Sequence, residues 1–213
     1  MLIFDLDGTL WDSSQPVAES WNEVFERWDS PIRLTAQDIR NVMGKTMEEI
    51  ARTILPEYNE AGRELFAECE RYEVEYVGEH GGTLFNGVEE TLEKLLNDGY
   101  RLAIVSNCQS GYIGAFLKSM KMDKYFCDTE EWGNTLKPKD ENIRLVMDRN
   151  NCTRAIYIGD TQKDMDSARG AQIPFIHAAY GFGRTEEPDG IINAFDELPE
   201  AVRQIGGENE TEA

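Results

Sequence analysis

The chain opens Met1-Leu2-Ile3-Phe4 and runs straight into Asp5-Leu6-Asp7-Gly8-Thr9. A short apolar run that ends in two carboxylates and a glycine reads as a buried strand opening into a loop at its C-terminal end. Strand alternation puts Asp5 and Asp7 on one side and Leu6 on the other. Two carboxylates held that close do not both stay ionised cheaply unless a cation or a shared proton separates them. A magnesium-type site with a nucleophilic carboxylate is the first expectation.

At 213 residues the chain is long enough to bury a substantial core, as one domain with an insert or as two small ones. No apolar run reaches the roughly 20 residues of a membrane span. Met1 leads directly into the first strand, with no basic stretch and small-residue cleavage site before it, so no secretory leader is expected. Cys69, Cys108, Cys127 and Cys152 are far apart and form no CxxC pair, which disfavours a zinc site or a disulfide framework and fits a reduced cytoplasm. The formal charge of −20 disfavours nucleic acid and anionic membranes as partners, because a negative field repels both. The acidic segment 207–213 reads as a disordered tail.

From Ser13 to about His80 the pattern is helical, with no convincing strand. Helices are expected over Pro16–Trp28, Ala36–Val42, Met47–Ile54 and Pro56–Val77. Thr35, with Asp38 three residues on, is a candidate cap, and Gly81-Gly82 closes the segment. This is read as an all-helical insert, residues 13–81, joined by the linkers Trp11–Gln15 and Glu79–Asn86. From Gly87 onward helices and strands alternate. Strands are expected at Leu102–Val105, Tyr125–Cys127, Ala155–Ile158, Ile173–His177 and Gly190–Ile192. Helices are expected at Val88–Asp98, Tyr112–Met120, Glu141–Arg149, Thr161–Arg169 and Leu198–Gln204. Apolar strands alternating with amphipathic helices make an α/β fold, a Rossmann-like parallel sheet with helices on both faces. Residues 1–12 and 82–206 would form it, and ligands would bind at the strands' C-terminal ends.

Those ends carry chemistry. The first delivers Asp5 and Asp7, the second Ser106 and Asn107, and a later one Gly159-Asp160 with Asp164 a helical turn beyond. Lys137-Pro138 lies in a loop between the last two. A nucleophile, a hard-cation site made of oxygens, and donors for phosphoryl oxygens are the components of phosphoryl transfer.

With these motifs the chain resembles the phosphatases of the haloacid dehalogenase superfamily, in the subclass with a helical cap inserted after the first strand. Four family motifs occur in order: DLDGT at 5–9, VSN at 105–107, KP at 137–138 and GDTQKDMDSA at 159–168. The resemblance implies that Asp5 attacks phosphorus and becomes an aspartyl phosphate, while Asp7 protonates the leaving group and then activates water. It implies Mg²⁺ held by Asp5, the Asp7 backbone carbonyl and Asp160, with Asp164 a ligand through water or a supporting group. Ser106, Asn107 and Lys137 would bind the phosphoryl oxygens. Elementary electrostatics agrees with a cation here, since each like-charged pair at about 4 Å and an effective dielectric near 20 costs roughly 4 kcal/mol.

Two departures from the family pattern stand out. Lys139-Asp140-Glu141 follows the KP pair where many relatives carry a second proline, and Asn86-Gly87-Val88 stands where proline, glycine and valine are usual. Neither is expected to touch the chemistry. Asp12 reads as a helix cap, Asp166 as a surface acid, His80 and His177 as structural, and Cys108 as a packed residue rather than a nucleophile.

The cap turn Asn41–Thr46 resembles the subclass's specificity loop, and Lys45 is its candidate for holding an anionic group of the substrate; Arg40 and Arg52 are weaker candidates. The resemblance implies a cytoplasmic, monomeric or homodimeric, magnesium-dependent phosphatase acting on a small phosphorylated metabolite, phosphoglycolate-like in type. The first alternative is a β-phosphoglucomutase-like sugar phosphomutase. From another class, the alternative is a noncatalytic binding protein on the same fold, which would have no need of Asp5, Asp7, Lys137 and Asp160.

Overall fold

The computed structural model describes residues 1–55, 57 and 59–208. Six strands form one sheet: β1 (Leu2–Phe4), β4 (Leu102–Ser106), β5 (Asp128–Glu131), β6 (Ile156–Gly159), β7 (Phe175–Ala178) and β8 (Gly190–Ile192), in the order β5-β4-β1-β6-β7-β8. Every neighbouring pair is parallel. β1 lies at the centre, with Phe4 in register with Ile104 on one side and Ile158 on the other. All residues of β1 and β4 are buried, as strands covered on both faces must be.

Alternate residues of β1 feed two separate cores. Ile3 joins Val105, Tyr157, Ile143 and Met165, beneath α8 (Lys139–Arg149) and α9 (Gln162–Gly170). Leu2 and Phe4 join Leu92, Phe116, Phe195 and Val202, beneath α5 (Val88–Asn97), α6 (Tyr112–Met120) and α10 (Leu198–Glu208). A short α7 (Trp132–Thr135) links β5 to the loop before α8. The helix α10 runs two residues into the segment expected to be an unstructured tail; residues 209–213 lie outside the described ones.

The insert holds α1 (Ser14–Arg27), α2 (Ala36–Arg40), α3 (Met47–Ile54) and α4 (Glu60–His80). Thr35 and Asp38 close a capping box on α2, and Thr46 with Glu49 closes another on α3, each satisfying N–H groups that the first turn leaves free. Pro56, the expected start of the fourth helix, lies outside the described residues. The linkers are not plain coil. β2 (Trp11–Asp12) pairs antiparallel with β3 (Thr83–Leu84), so entry to and exit from the insert form a two-stranded ribbon. Gly82 sits against the Trp11 ring and the Asp12 carbonyl, and a Cβ there would clash with both.

One strand falls elsewhere than expected. Asp123–Tyr125 is a 3₁₀ turn, and the edge strand is Asp128–Glu131, three residues after the expected Tyr125–Cys127. Its charged sequence hides a strand because each acid has a tertiary partner. Arg149 reaches Asp128 and Glu130 at 2.8 and 2.6 Å. Glu131 accepts hydrogen bonds from the N–H groups of Gly111 (2.5 Å) and Ile113 (3.1 Å) at the start of α6. No described helix is long and apolar enough to cross a membrane.

Candidate active site

β1 stops at Phe4, and Asp5 continues over the sheet edge with its N–H on the Ile158 carbonyl at 2.8 Å. The chain then turns through Gly8 at φ +83°. A Cβ at position 8 would run into the Asp160 carboxylate, so both the left-handed backbone and the close approach call for glycine.

Around this turn lies a buried cluster of three carboxylates and one ammonium. The Lys139 Nζ stands 2.8 Å from Asp5 Oδ1 and 2.6 Å from Asp164 Oδ1, with all three side chains sealed from solvent. The other oxygen of Asp164 accepts from the Thr161 N–H (3.0 Å) and hydroxyl (2.6 Å), closing the capping box of α9. Asp160 Oδ2 accepts from the N–H groups of Phe182 and Gly183 at 2.7 and 3.1 Å. Its Oδ1 is buried with no hydrogen-bond partner. Oxygens of Asp5, Asp160 and Asp164 lie within 4.8 Å of one another.

One ammonium does not balance three carboxylates, and the acidities reflect it. Burial and the Asp164 charge push the Asp5 carboxyl up to about 7, although Lys139 pulls the other way. Burial, then Asp164 and Asp5, raise Asp160 well above the usual carboxylate range. Burial opposes the Lys139 ammonium, but the Asp164 and Asp5 charges keep it protonated far above neutral pH. An all-oxygen donor set with excess negative charge and an orphaned oxygen fits a divalent hard cation. Asp5, Asp160 and Asp164 are the residues that would hold it.

Asp7 is kept apart from that cluster. Its Oδ1 accepts from the Trp11 indole (2.9 Å), the Ser13 hydroxyl (2.6 Å) and the Tyr112 hydroxyl (3.1 Å). Burial raises its pKa to about 6 against these three donors, a value suited to giving and taking a proton near neutrality. Asp5 and Asp7 line one cavity of about 40 Å³ with Ser106, Asn107 and Lys45 of the helical insert. The cap turn is docked there through the Asn107 amide, which donates to the Gly44 carbonyl at 3.4 Å.

The lysine assignment needs correction. Lys137 is exposed and pairs with Glu141 at 3.7 Å, one turn along the surface of α8. The lysine in the site is Lys139. The helix α8 begins at Lys139, with Pro138 as its N-cap, rather than at Glu141. That shift of two residues turns Lys139 inward and leaves Lys137 outside. The sequence signal was present: a second lysine follows Pro138 directly.

Other candidates have settled partners. Arg40 pairs with Asp12 at 2.6 Å and Arg52 with Glu48 at 2.7 Å. Asp12 also accepts from the Ser14 N–H at 2.9 Å at the start of α1. Asp166 is exposed and accepts from the Gln162 amide. His80 lies on the Tyr76 ring, and His177 is buried in β7. Burial and the Glu131 charge push the Cys108 thiol far up, which leaves it no nucleophile. Beside Lys139, sequence reasoning missed Trp11, Ser13 and Tyr112 as the holders of Asp7, and it missed Glu73, a buried acid lining the same cavity.

Comparison with known proteins places this geometry. A family model described as haloacid dehalogenase-like hydrolase matches residues 2–178. The chain is 27% identical over 215 residues to Pyrophosphatase PpaX of Listeria monocytogenes, covering 95% of each. It is 29% identical over 212 residues to the phosphoglycolate phosphatase of Rhodobacter capsulatus, covering 95% of this chain and 90% of that one. A haloacid dehalogenase-like family hydrolase from Streptococcus pneumoniae superposes with a TM-score of 0.81 at 25% identity, over 93% of this chain and 96% of that one.

Proposed function

The chain belongs to the haloacid dehalogenase-like hydrolase family and is an enzyme of its phosphatase kind; we propose that it hydrolyses a small phosphomonoester through an aspartyl phosphate on Asp5, with Mg²⁺ as cofactor. The observation that carries this reading is the pairing of two carboxylates two residues apart in opposite environments. Asp5 lies against Lys139, and Asp7 lies among three neutral donors.

In this mechanism an Asp5 oxygen bonds to phosphorus as the bond to the alcohol oxygen breaks. Asp7 gives its proton to that departing oxygen. Water then attacks the phosphoryl group, Asp7 takes the water's proton, and inorganic phosphate leaves with Asp5 regenerated. The Lys139 ammonium holds the Asp5 carboxylate in place and offsets charge on the phosphoryl oxygens, with Ser106 and Asn107 as further donors. Trp11, Ser13 and Tyr112 keep Asp7 turned to the leaving group. Bound at Asp5, Asp160 and Asp164, Mg²⁺ would supply charge neutralisation for the phosphoryl group. The cap covers the cavity and limits water.

The experiment is phosphate release from a panel of phosphate compounds with Mg²⁺, including 2-phosphoglycolate, pyrophosphate, nucleoside monophosphates and sugar phosphates. Asp5→Asn serves as the blank. Turnover that Asp5→Asn lowers by at least about 10³-fold supports the reading; comparable activity in the variant removes Asp5 as nucleophile.

A further inference from the structure

Glu73 sits where a surface acid should not. The helix α4 is rich in glutamate and reads as a charged cap face, yet its buried stripe is Leu65, Cys69, Glu73 and Val77, an unbroken i, i+4 ladder. Glu73 is 4% exposed. Its Oε2 accepts from the Trp21 indole at 2.6 Å, while the nearby Gln109 amide donates to the Glu70 carbonyl at 3.5 Å. No lysine or arginine among the described residues forms an ion pair with it. A buried carboxylate with one neutral donor has lone pairs to spare and is costly to keep.

That carboxylate faces the reaction. It lines the cavity shared with Asp5 and Asp7. The wall around it is apolar, formed by Val17, Ile39 and Ile50 of the cap. Lys45 lines the cavity too, on the turn whose Gly44 carbonyl accepts from the Asn107 amide, and makes no ion pair with Glu73. The part of the substrate beyond the leaving oxygen therefore meets an acid in an apolar chamber.

We propose that Glu73 selects the leaving group: the preferred phosphomonoesters carry a hydrogen-bond donor, a hydroxyl or an ammonium, on a small alcohol, and leaving groups that end in a carboxylate or a second phosphate are disfavoured. The proposal rests on the phosphatase reading above and narrows it. Where Glu73 is ionised, like charges brought together in a dry site are strongly unfavourable, so phosphoglycolate and pyrophosphate, the compounds named for the relatives, become poor substrates above about pH 8. A donor on the alcohol instead fills the lone pairs that Trp21 leaves free. Burial raises the Glu73 pKa to about 8, so near neutral pH the group is largely protonated, and an ammonium partner draws it toward its ionised form.

The test compares kcat/KM with Mg²⁺ at pH 8.5, above the Glu73 value of about 8, for 2-aminoethyl phosphate, glycerol 3-phosphate, 2-phosphoglycolate and pyrophosphate. p-Nitrophenyl phosphate reports the chemistry alone, and Asp5→Asn is the blank. The wild-type enzyme should prefer a donor-bearing ester over phosphoglycolate by at least about tenfold, and Glu73→Gln should shrink that ratio by a similar factor. The amide keeps an acceptor for Trp21 and removes the charge, and a thermal melt checks that the variant folds. A wild-type preference for phosphoglycolate or pyrophosphate overturns the proposal without any variant, as does a ratio that Glu73→Gln leaves unchanged. In both cases turnover of p-nitrophenyl phosphate leaves the phosphatase reading standing. No p-nitrophenyl phosphate turnover above the Asp5→Asn blank sinks that reading, and the proposal with it.

Discussion

The Lys139 ammonium stands 2.8 Å from Asp5 Oδ1, joining the first turn of α8 to the end of β1 across 134 residues of sequence. The same nitrogen holds Asp164 at 2.6 Å. It is therefore the fixed cation of an otherwise acidic cluster.

Replacing it should be costly in two ways. Lys139→Met leaves two buried carboxylates without their partner, a loss of about 3–5 kcal/mol of stability when one member of a buried pair is removed. Its kcat should fall by at least about 10²-fold. Lys137→Ala removes only an exposed contact and should stay within about twofold of wild type in kcat. Steady-state kinetics and melting curves of both variants check this. A larger effect at Lys137 would return the catalytic role to that residue.

Stability of the metal-free protein should fall as pH rises from about 5 to 8. The folded-state values of Asp5, Asp7 and Glu73 are raised to about 7, 6 and 8. Between the ordinary carboxylate range and those values the folded protein binds more protons than the unfolded chain. The stability these groups contribute is thus present at low pH and lost as they ionise. His177, lowered by burial, acts in the opposite sense but is a single group. Melting temperatures in EDTA at pH 5.5 and pH 8 read this directly; a higher value at pH 8 would contradict it.

Mg²⁺ should reverse that trend. A cation bound by the ionised cluster stabilises the folded state by mass action, about 2.7 kcal/mol at a hundred times its dissociation constant. Asp160→Asn should erase most of this gain, since Asp160 Oδ1 is the oxygen left without a protein partner. Melting temperature against Mg²⁺ concentration for the wild type and this variant supplies the readout. An equal rise in both would place the ion elsewhere.

Lys45→Ala should raise KM for the preferred ester more than for p-nitrophenyl phosphate, by about tenfold against about twofold, if the cap lysine meets the natural substrate. Equal changes in both would mark Lys45 as a solvated turn residue.

Much of the catalytic edge was readable before any coordinates, for a local reason. Asp5, Ser106 and Asp160 each close an apolar run, and in a parallel sheet the C-terminal ends of such runs meet on one edge. The edge strand Asp128–Glu131 was not readable, because its acids are tolerable only beside Arg149 and the start of α6. The ribbon of Trp11–Asp12 and Thr83–Leu84 was hidden for a similar reason: two residues a side form a strand only when the distant partner arrives.

The two residues that most change the chemical picture depended on orientation. Lys137 and Lys139 are equivalent in composition, and a helix start two residues earlier decides which of them turns toward Asp5. Glu73 is one of many glutamates on α4, and only the packing of that helix on Trp21 and Gln109 makes it a buried wall of the cavity. Runs of apolar residues and strand-end carboxylates are written in neighbouring positions, so the order of the chain suffices to read them. The direction of a side chain depends on helix phase and on partners far away in the chain, and those exist only once the chain has folded.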